Sequence, residues 1–343
     1  MHVHDLTISS KAGLEHDEFV ALLEALENLE VLSIHVPSPR SGVLPFISTL
    51  TDDATFGERL LSAIANMDKL RVLFFDVSYG GLHSWSPSVG SQPSGAVLGH
   101  GLRRLHSFHG DMFPAPRMHR LWAAITAAKA QVGAAPLTHF GTSMARNGFQ
   151  PLARFLEVSG GQLQTLHLDL RVAASWREHN TVEAFHSSGL SVSACRLLRK
   201  LTVDLYAPSR SWICSNIPVF AAFLLTTTRC TMLEHIEISL DNLTTEAFAV
   251  PGVPEALAAL DARMAEMPQL RRVDWLLAPS AGRGLFPGDV NSVESLSRIL
   301  KQYLLTIVER KEVEVTCFAF RRWPKPRKRI GVDNPISISR HRE

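Results

Sequence analysis

Apolar residues return along this chain in one short, fixed frame. The clearest copy is the segment 161–171, GQLQTLHLDLR, in which Leu163, Leu166 and Leu168 give the spacing L-x-x-L-x-L. The second apolar residue of each copy, called the aligned position below, falls at Leu6, Leu32, Leu73, Leu105, Phe140, Leu166, Leu201, Ile236, Val273 and Val313. A period of about 20 to 50 residues is typical of solenoids, in which each repeat is one structural unit.

Helix-like segments fill the gaps between these frames. In the first gap the apolar residues Phe19, Leu22, Leu23 and Leu26 recur at helical spacing. By the same criteria we predict helices at 15–26, 56–67, 119–132, 151–158, 218–228, 254–267 and 293–311. Strands and helices that alternate at this period predict parallel strands side by side, with helices on one face. The predicted fold is therefore an α/β solenoid of about ten repeats, in which stacked neighbours share one core.

These frames resemble the leucine-rich-repeat family. The resemblance reaches from Val3 to about Phe320 and is clearest from Leu163 to Leu277, although the family's Asn or Cys turn position is mostly absent. It implies a horseshoe with a parallel sheet on the concave face and helices on the convex face. The long, uneven repeats are similar to those of fungal F-box proteins, which implies a substrate receptor of a cullin-type ubiquitin ligase. No F-box is found, so either that module was lost or truncated, or this is a stand-alone repeat protein.

Side chains on the concave face form columns, because successive residues of a strand point to opposite faces. Residues one before, one after and three after the aligned position should share the face away from the core. The middle of this face is His-rich and aromatic, whereas its C-terminal half is acidic. It is either a solvated sheet face or a surface that binds a protein partner. The predicted partner-binding residues are Phe74, His106, Phe108, His139, His167, Asp169, Asp204, Glu237, Arg272 and Asp274.

Catalytic and cofactor motifs are scarce. Residues 141–145, GTSMA, approach the G-x-S-x-G nucleophile elbow around Ser143, but the last glycine is missing. A serine hydrolase built on Ser143 is thus a lesser alternative to a non-enzymatic scaffold. The sequence contains no phosphate-binding loop, no dinucleotide-binding glycine motif and no H-E-x-x-H, so we expect no cofactor and no metal. The histidines at 100, 106, 109 and 119 lack matching acidic or Cys ligands and are interpreted as ordinary loop and strand residues.

Composition and charge restrict the remaining classes. Hydrophobic residues make up 45% of the 343-residue chain, so a large core can be buried, and the net charge of +2 is too small to indicate a nucleic-acid partner for the whole molecule. Four widely spaced cysteines without a C-x-x-C pair fit reduced thiols in the cytoplasm or nucleus. We find no signal peptide and no apolar run long enough for a membrane helix.

The chain divides by composition into a repeat region, 1–320, and a basic tail, 321–343, which we expect to be flexible. The run at 321–329, RRWPKPRKR, holds six basic residues in nine. It is either a solvated terminus, a nuclear-import signal or a contact for nucleic acid. The Gly-, Ser- and Pro-rich stretch 80–101 reads as a long loop, interpreted either as a tolerated insertion or as a partner-binding loop.

Overall fold

The computed structural model describes the greater part of the chain. The described residues are 3–9, 16–36, 59, 62–77, 101–111, 115–143, 149–171, 181–206, 210–279 and 293–319. The basic run at 321–329 and most of the stretch 80–101 lie outside them. The chain forms two compact units whose boundary falls between Gly141 and Thr142. Each unit is described separately below as unit 1 and unit 2.

Ten parallel strands form one sheet and follow one another in chain order. They are β1 (Asp5–Ser9), β2 (Val31–Val36), β3 (Val72–Val77), β4 (Ser107–Asp111), β5 (His139–Ser143), β6 (Thr165–Arg171), β7 (Lys200–Tyr206), β8 (His235–Leu243), β9 (Arg272–Pro279) and β10 (Glu314–Ala319). Sequential neighbours in a parallel sheet require a crossover between every pair of strands. The predicted α/β architecture with a parallel sheet is confirmed.

Helices and turns form the crossovers. The described helices are α1 (His16–Ala25), α2 (Ala115–Lys129), α3 (Phe149–Ser159), α4 (Thr181–Ser188), α5 (Arg210–Leu225), α6 (Val253–Ala265), α7 (Val293–Tyr303) and α8 (Leu305–Glu309). The predicted segment 293–311 is divided at Leu304, and α5 begins eight residues before Pro218, which we had expected to start it. Proline suits a first helical turn but does not require one, so this boundary was wrong.

The core of unit 2 is built on the aligned positions. Leu166, Leu201, Ile236 and Val273 are direct neighbours in register and are fully buried. Helices cover this apolar face, since α5 contacts β7 and α7 contacts β9. The helices contribute their own apolar sides, including Phe155, Phe220, Leu257 and Leu296, all buried. The predicted stacking of the four aligned residues is confirmed.

One backbone carbonyl before each strand fixes the register of the next strand. The Gln164 carbonyl accepts the N–H groups of Arg199 and Lys200 at 2.8 and 3.0 Å. The Arg199 carbonyl does the same for Glu234 and His235 at 2.9 and 3.0 Å. A carbonyl has two lone pairs, so each donor is satisfied without a side chain. The loops ahead of β7 and β8 are therefore each tied to the strand before them.

Two charged side chains connect α8 to α6. The buried carboxylate of Asp261, on α6, accepts the N–H groups of Thr306 and Ile307 at 2.8 Å each. Arg310, just after α8, donates to the carbonyls of Ala265 and Met267 at 2.7 and 2.9 Å. Both helix ends carry backbone groups without intrahelical partners, and these side chains satisfy them.

The aligned position in β4 corrects the sequence analysis. Leu73 pairs in register with Phe108, not with Leu105, so the frame is three residues later than predicted. Phe108 therefore points into the core of unit 1, where it is 1% exposed and stacks on Phe140 with ring centroids 5.4 Å apart. The prediction that Phe108 lies on the face away from the core is wrong. An apolar residue at every third position, Leu102, Leu105 and Phe108, made two frames possible.

A second correction concerns the last strand. Val273 pairs with Val315, so Val315 and not Val313 is the aligned residue of β10.

Among the described residues, no helix is long and apolar enough to cross a bilayer.

Shortening a core leucine tests this packing. Leu168→Ala should lower the free energy of unfolding by about 2 to 5 kcal/mol, because Leu168 is 1% exposed and its truncation leaves a cavity under a central strand. Leu197→Ala, at a position that is 40% exposed, is the matched control and should cost less than about 0.5 kcal/mol. Urea denaturation of both variants measures the difference, and equal losses would contradict the assignment of the core face.

Candidate functional site

Mostly polar side chains cover the other face of the sheet in unit 2. Register places them in three columns, one before, one after and three after the aligned positions. We call this surface the polar face. Its first column is Thr165, Lys200, His235, Arg272 and Glu314; its second is His167, Thr202, Glu237, Asp274 and Thr316; its third is Asp169, Asp204, Ser239, Leu276 and Phe318. The strand alternation predicted from sequence is confirmed for His167, Asp169, Asp204, Glu237, Arg272 and Asp274.

Carboxylates of this face lie directly beside one another. Asp169 pairs in register with Asp204, and Glu237 pairs with Asp274. Directly opposed like charges destabilise a sheet. Basic partners are therefore needed, and neighbouring strands supply them for Asp204, Glu237 and Asp274.

Three pairs connect successive strands in the same diagonal sense. His167 Nε2 lies 2.9 Å from Asp204 Oδ2, Lys200 Nζ donates to Glu237 Oε2 at 3.0 Å, and His235 Nε2 lies 3.0 Å from Asp274 Oδ2. In each pair the basic residue is on the earlier strand, and the acid is on the next strand, one column further along. We call these pairs, together with Arg272, Glu314 and Thr316, the polar network.

Asp274 is the most connected residue of the polar network. Its carboxylate accepts Arg272 Nε at 3.0 and 2.8 Å, the His235 ring and the hydroxyl of Thr316. Burial by itself would raise the pKa of Asp274, but the hydrogen bonds from His235, Arg272 and Thr316 and the Arg272 charge hold the pKa well below its usual range. Arg272 also lies 3.8 Å from Glu314. Asp274 is therefore a permanent carboxylate that orients two side chains more exposed than itself.

Exposure differs along the polar network. The side chains of Lys200, His235 and Arg272 are 25 to 29% exposed and those of Glu237 and Asp274 are 15 and 7% exposed, whereas His167 is 10% and its partner Asp204 is 16% exposed. The sequence led us to expect an acidic surface in this half of the sheet. The structure instead places Glu237 and Asp274 beneath the partly exposed column of Lys200, His235 and Arg272, because these two acids accept hydrogen bonds from it. Lys200 and His235, which the predicted set omits, are thus the more accessible residues.

One triad could hold a cation by residue type alone. Ligand atoms of His235, Glu237 and Asp274 lie within 4.8 Å of one another. Glu237 already accepts from Lys200, however, and Asp274 from Arg272. A divalent ion would have to displace one of these cationic groups, so the geometry fits a salt-bridge network better than a metal site.

Unit 1 carries an aromatic stack on the corresponding face. Phe74 and His109 are in register and stack with ring centroids 4.8 Å apart at 12°, and both are buried. A Cβ atom on Gly141 would lie 2.1 Å from His109 Nδ1, so glycine leaves the space that the imidazole fills. Phe74 lies on the strand face opposite Leu73, as the alternation predicts, but it is buried and not exposed to a partner. His109 was missed, because the misplaced frame of β4 put His106 in the column of Phe74, where register places His109.

The other predicted residues of unit 1 lie at the start of the strands. His106 precedes β4 and His139 begins β5, where His139 Nδ1 lies 2.8 Å from the Thr138 hydroxyl. Burial lowers the pKa of both imidazoles, and for His106 the charges of Arg71 and Lys129 lower it further. These two histidines are therefore biased toward the neutral form.

Lys129 has a structural role in unit 1. Its ammonium donates to the carbonyls of Arg103 and Ala135 at 3.0 and 2.8 Å, and also to that of Leu105. Burial lowers the pKa of Lys129 to about 8. Three carbonyl acceptors use all three protons of the ammonium, so Lys129 anchors the end of α2 to the loop before β4.

Ser143 and the buried cysteines are the remaining candidates for chemistry. Ser143 is the last residue of β5, and its side chain is not among those described. Cys195 and Cys230 are free and buried, and burial raises the pKa of their thiols to about 12 and about 11. Such thiols are unreactive at neutral pH. The hydrolase and nucleic-acid alternatives stay predictions.

Comparisons with known proteins add no assignment. No protein-family model matches the chain, and no curated protein matches it.

Replacing Asp274 should weaken the fold in a pH-dependent way. Asp274→Asn should cost about 1.5 to 3 kcal/mol at pH 7, because a charged acceptor of three side-chain donors is lost. The folded pKa lies below the unfolded one, so this stabilisation is full above the unfolded pKa and is lost as the pH falls. Wild type should thus lose more stability between about pH 5 and 3 than Asp274→Asn. Denaturation at several pH values measures both slopes, with Glu314→Gln, at an exposed carboxylate, as the control; parallel slopes for wild type and Asp274→Asn would contradict this role.

A methyl group at Gly141 should disturb unit 1. Gly141→Ala should cost about 1 to 3 kcal/mol, because the His109 ring is buried against Phe74 and cannot yield easily. Gly161→Ala is the matched control, since nothing lies within 4 Å of a Cβ there, and its cost should be near zero. Thermal melts compare the two; equal behaviour would show that the imidazole moves freely.

Proposed function

We propose that the chain is a protein-interaction scaffold whose partner binds the polar face of unit 2. The observation that carries this proposal is the column of Lys200, His235 and Arg272, which three successive strands hold in register and partly exposed. Acids beneath the column fix the orientation of each side chain. Oriented donors bind with a smaller entropic cost than mobile ones.

The small contribution of these ion pairs to the stability of the fold supports a binding role. A sheet face that only needs to be polar can use short hydroxyl side chains, as Thr202 and Ser239 do in the same columns. Desolvated ion pairs are instead weak contributors to stability, and apolar replacements of similar volume often equal them. A function in recognition explains why the face retains so many charges.

The exposed groups define the chemistry of the partner. Lys200 and Arg272 offer N–H donors, and His235 offers an imidazole, so the partner should present carboxylate or carbonyl oxygens to this column. The carboxylates of Glu237 and Asp274 already accept hydrogen bonds from these donors. An acidic face without such internal pairs would instead attract a basic partner.

The resemblance to known repeat proteins makes the same proposal more specific. The leucine-rich-repeat frames imply a horseshoe with the polar face on its concave side, where solenoids commonly bind partners. The resemblance to fungal F-box repeat regions makes a substrate receptor of a cullin-type ubiquitin ligase the specific form of the scaffold. The wide spacing of the cysteines and the basic run at 321–329 support a cytoplasmic or nuclear location.

Differential capture tests the proposal. Wild type, the double variant Lys200→Gln/His235→Gln and the control Arg199→Gln are immobilised and exposed to lysate of the source cells. Arg199 is 57% exposed and lies next to the first column but outside the polar network. A partner should be retained by wild type and the control, and its affinity for the double variant, measured with purified protein, should fall at least about tenfold.

The controls separate binding from folding. Both Gln replacements keep hydrogen-bonding groups but remove basic partners of Glu237 and Asp274, so the melting temperature of the double variant should fall, and binding is compared at a temperature at which all three proteins are folded. Equal retention of every captured protein by wild type and the double variant would remove the polar face from the binding site.

A further inference from the structure

The loops that lead into four strands of unit 2 contain the same tight turn. In each turn the N–H of a fully buried leucine donates to the carbonyl three residues earlier at 3.0 to 3.4 Å; the leucines are Leu163, Leu198, Leu233 and Leu270. All four turns lie within the described residues. Their central residues form a rim at the amino-terminal ends of β6 to β9. We call it the strand-entry rim; it consists of 161–162, 196–197, 231–232 and 268–269.

Two neighbouring turns carry an apolar residue at the rim. Leu197 and Met232 are the third residues of their turns and are 40 and 37% exposed. Because β7 and β8 are in register, these two residues lie side by side, roughly one strand spacing of 4.8 Å apart at the backbone. In the other turns of this kind the same residue is polar: Asn28, Lys69, Arg104, Gln162, Gln269 and Glu312. Single exposed apolar residues are ordinary, but two in register form a patch.

Positive charge predominates beside this patch. Arg196 shares a turn with Leu197, Arg229 directly precedes the turn of Met232, and both arginines are exposed. Within the four turns and the residue after each, Glu234 is the only acid, and it lies 3.8 Å from Arg199. The rim therefore presents guanidinium groups whose charge its own turns do not balance.

This combination selects the occupant. A large apolar side chain would remove the patch from water, and carboxylates would pair with the guanidinium groups. Two copies of the rim placed face to face would instead bring like charges together. A phosphate backbone would pair with the arginines but would leave the patch uncovered.

We propose that the strand-entry rim binds an acidic segment of a protein partner. One large apolar side chain of the segment packs across Leu197 and Met232, and its carboxylates pair with Arg196 and Arg229. This surface is separate from the polar face, so the inference does not depend on the proposed function.

A peptide library tests which segment the rim selects. Random twelve-residue peptides displayed on phage are panned in parallel on the immobilised full chain and on its double variant Leu197→Ser/Met232→Ser. One class should be enriched on wild type alone, and its members should share two or more acids around one Leu, Met, Phe or Trp. The most enriched peptide of that class is then synthesised with a fluorescent label, and its Kd for each purified protein is measured by anisotropy.

Matched variants separate the apolar contact from the charge. Leu197→Ser/Met232→Ser should weaken the peptide at least about tenfold, whereas Leu305→Ser, at a residue of α8 that is 60% exposed, should bind like wild type. Arg196→Gln/Arg229→Gln should also weaken the peptide at least about tenfold at low salt. That difference should shrink at 1 M salt, because the Debye length falls to about 3 Å. All five positions are exposed, so the melting temperatures should change little.

Several results would overturn the proposal. A library without a class restricted to wild type, or with a class that lacks acids, would show that the rim selects no such segment. A wild-type dimer that becomes a monomer in Leu197→Ser/Met232→Ser, measured by sedimentation, would assign the patch to a second copy of the chain. Tighter binding of a twenty-nucleotide single-stranded DNA than of the peptide would assign the rim to nucleic acid.

The polar face is distinguished by its own variant. Lys200→Gln/His235→Gln should bind the selected peptide as tightly as wild type does. A loss of peptide binding in that variant, with normal binding by Leu197→Ser/Met232→Ser, would move the peptide to the polar face and overturn the assignment to the rim.

Discussion

The common register of the parallel strands is the constraint on which everything else depends. A slip of one residue would move every core side chain to the opposite face. Here the aligned residues Leu166, Leu201, Ile236 and Val273 coincide strand after strand, and the shared carbonyls before each strand reinforce that alignment. The same register that stacks the apolar residues also brings the charged columns together. Core packing and surface chemistry are therefore fixed by one geometric relation.

That relation gives unit 2 an apolar core on one side of the sheet and the polar face on the other. The polar face is dense with internally paired charges, so a partner there would compete with bonds that already exist, and specificity would outweigh affinity.

The frame of apolar residues was sufficient to predict the parallel order of the strands in unit 2 and the face on which each side chain lies, although it placed the aligned position of β10 two residues early. It failed where apolar residues occur every third position, as at Leu105 and Phe108, because the spacing then fits two frames and only packing chooses between them. Because packing places Phe108 in the core, His109 lies on the opposite face and stacks on Phe74. The pairing of Lys200 with Glu237 could not be predicted either. The sequence predicts which residues share a column, but it does not predict which residue of the next column a flexible side chain will contact. The burial of the acids depends on that contact, and so it emerged only in three dimensions.

The diagonal sense of the ion pairs has a consequence for how such an array can change in length. Each repeat around β8 carries a base that serves the next strand and an acid that serves the previous one, as His235 and Glu237 do. If that repeat were deleted, Lys200 would come opposite Asp274, and a base would again meet an acid. If the repeat were duplicated, His235 of the first copy would meet Glu237 of the second. Whole repeats can thus be gained or lost by recombination without leaving a buried charge alone, whereas a change of one residue within a strand could not be absorbed in this way.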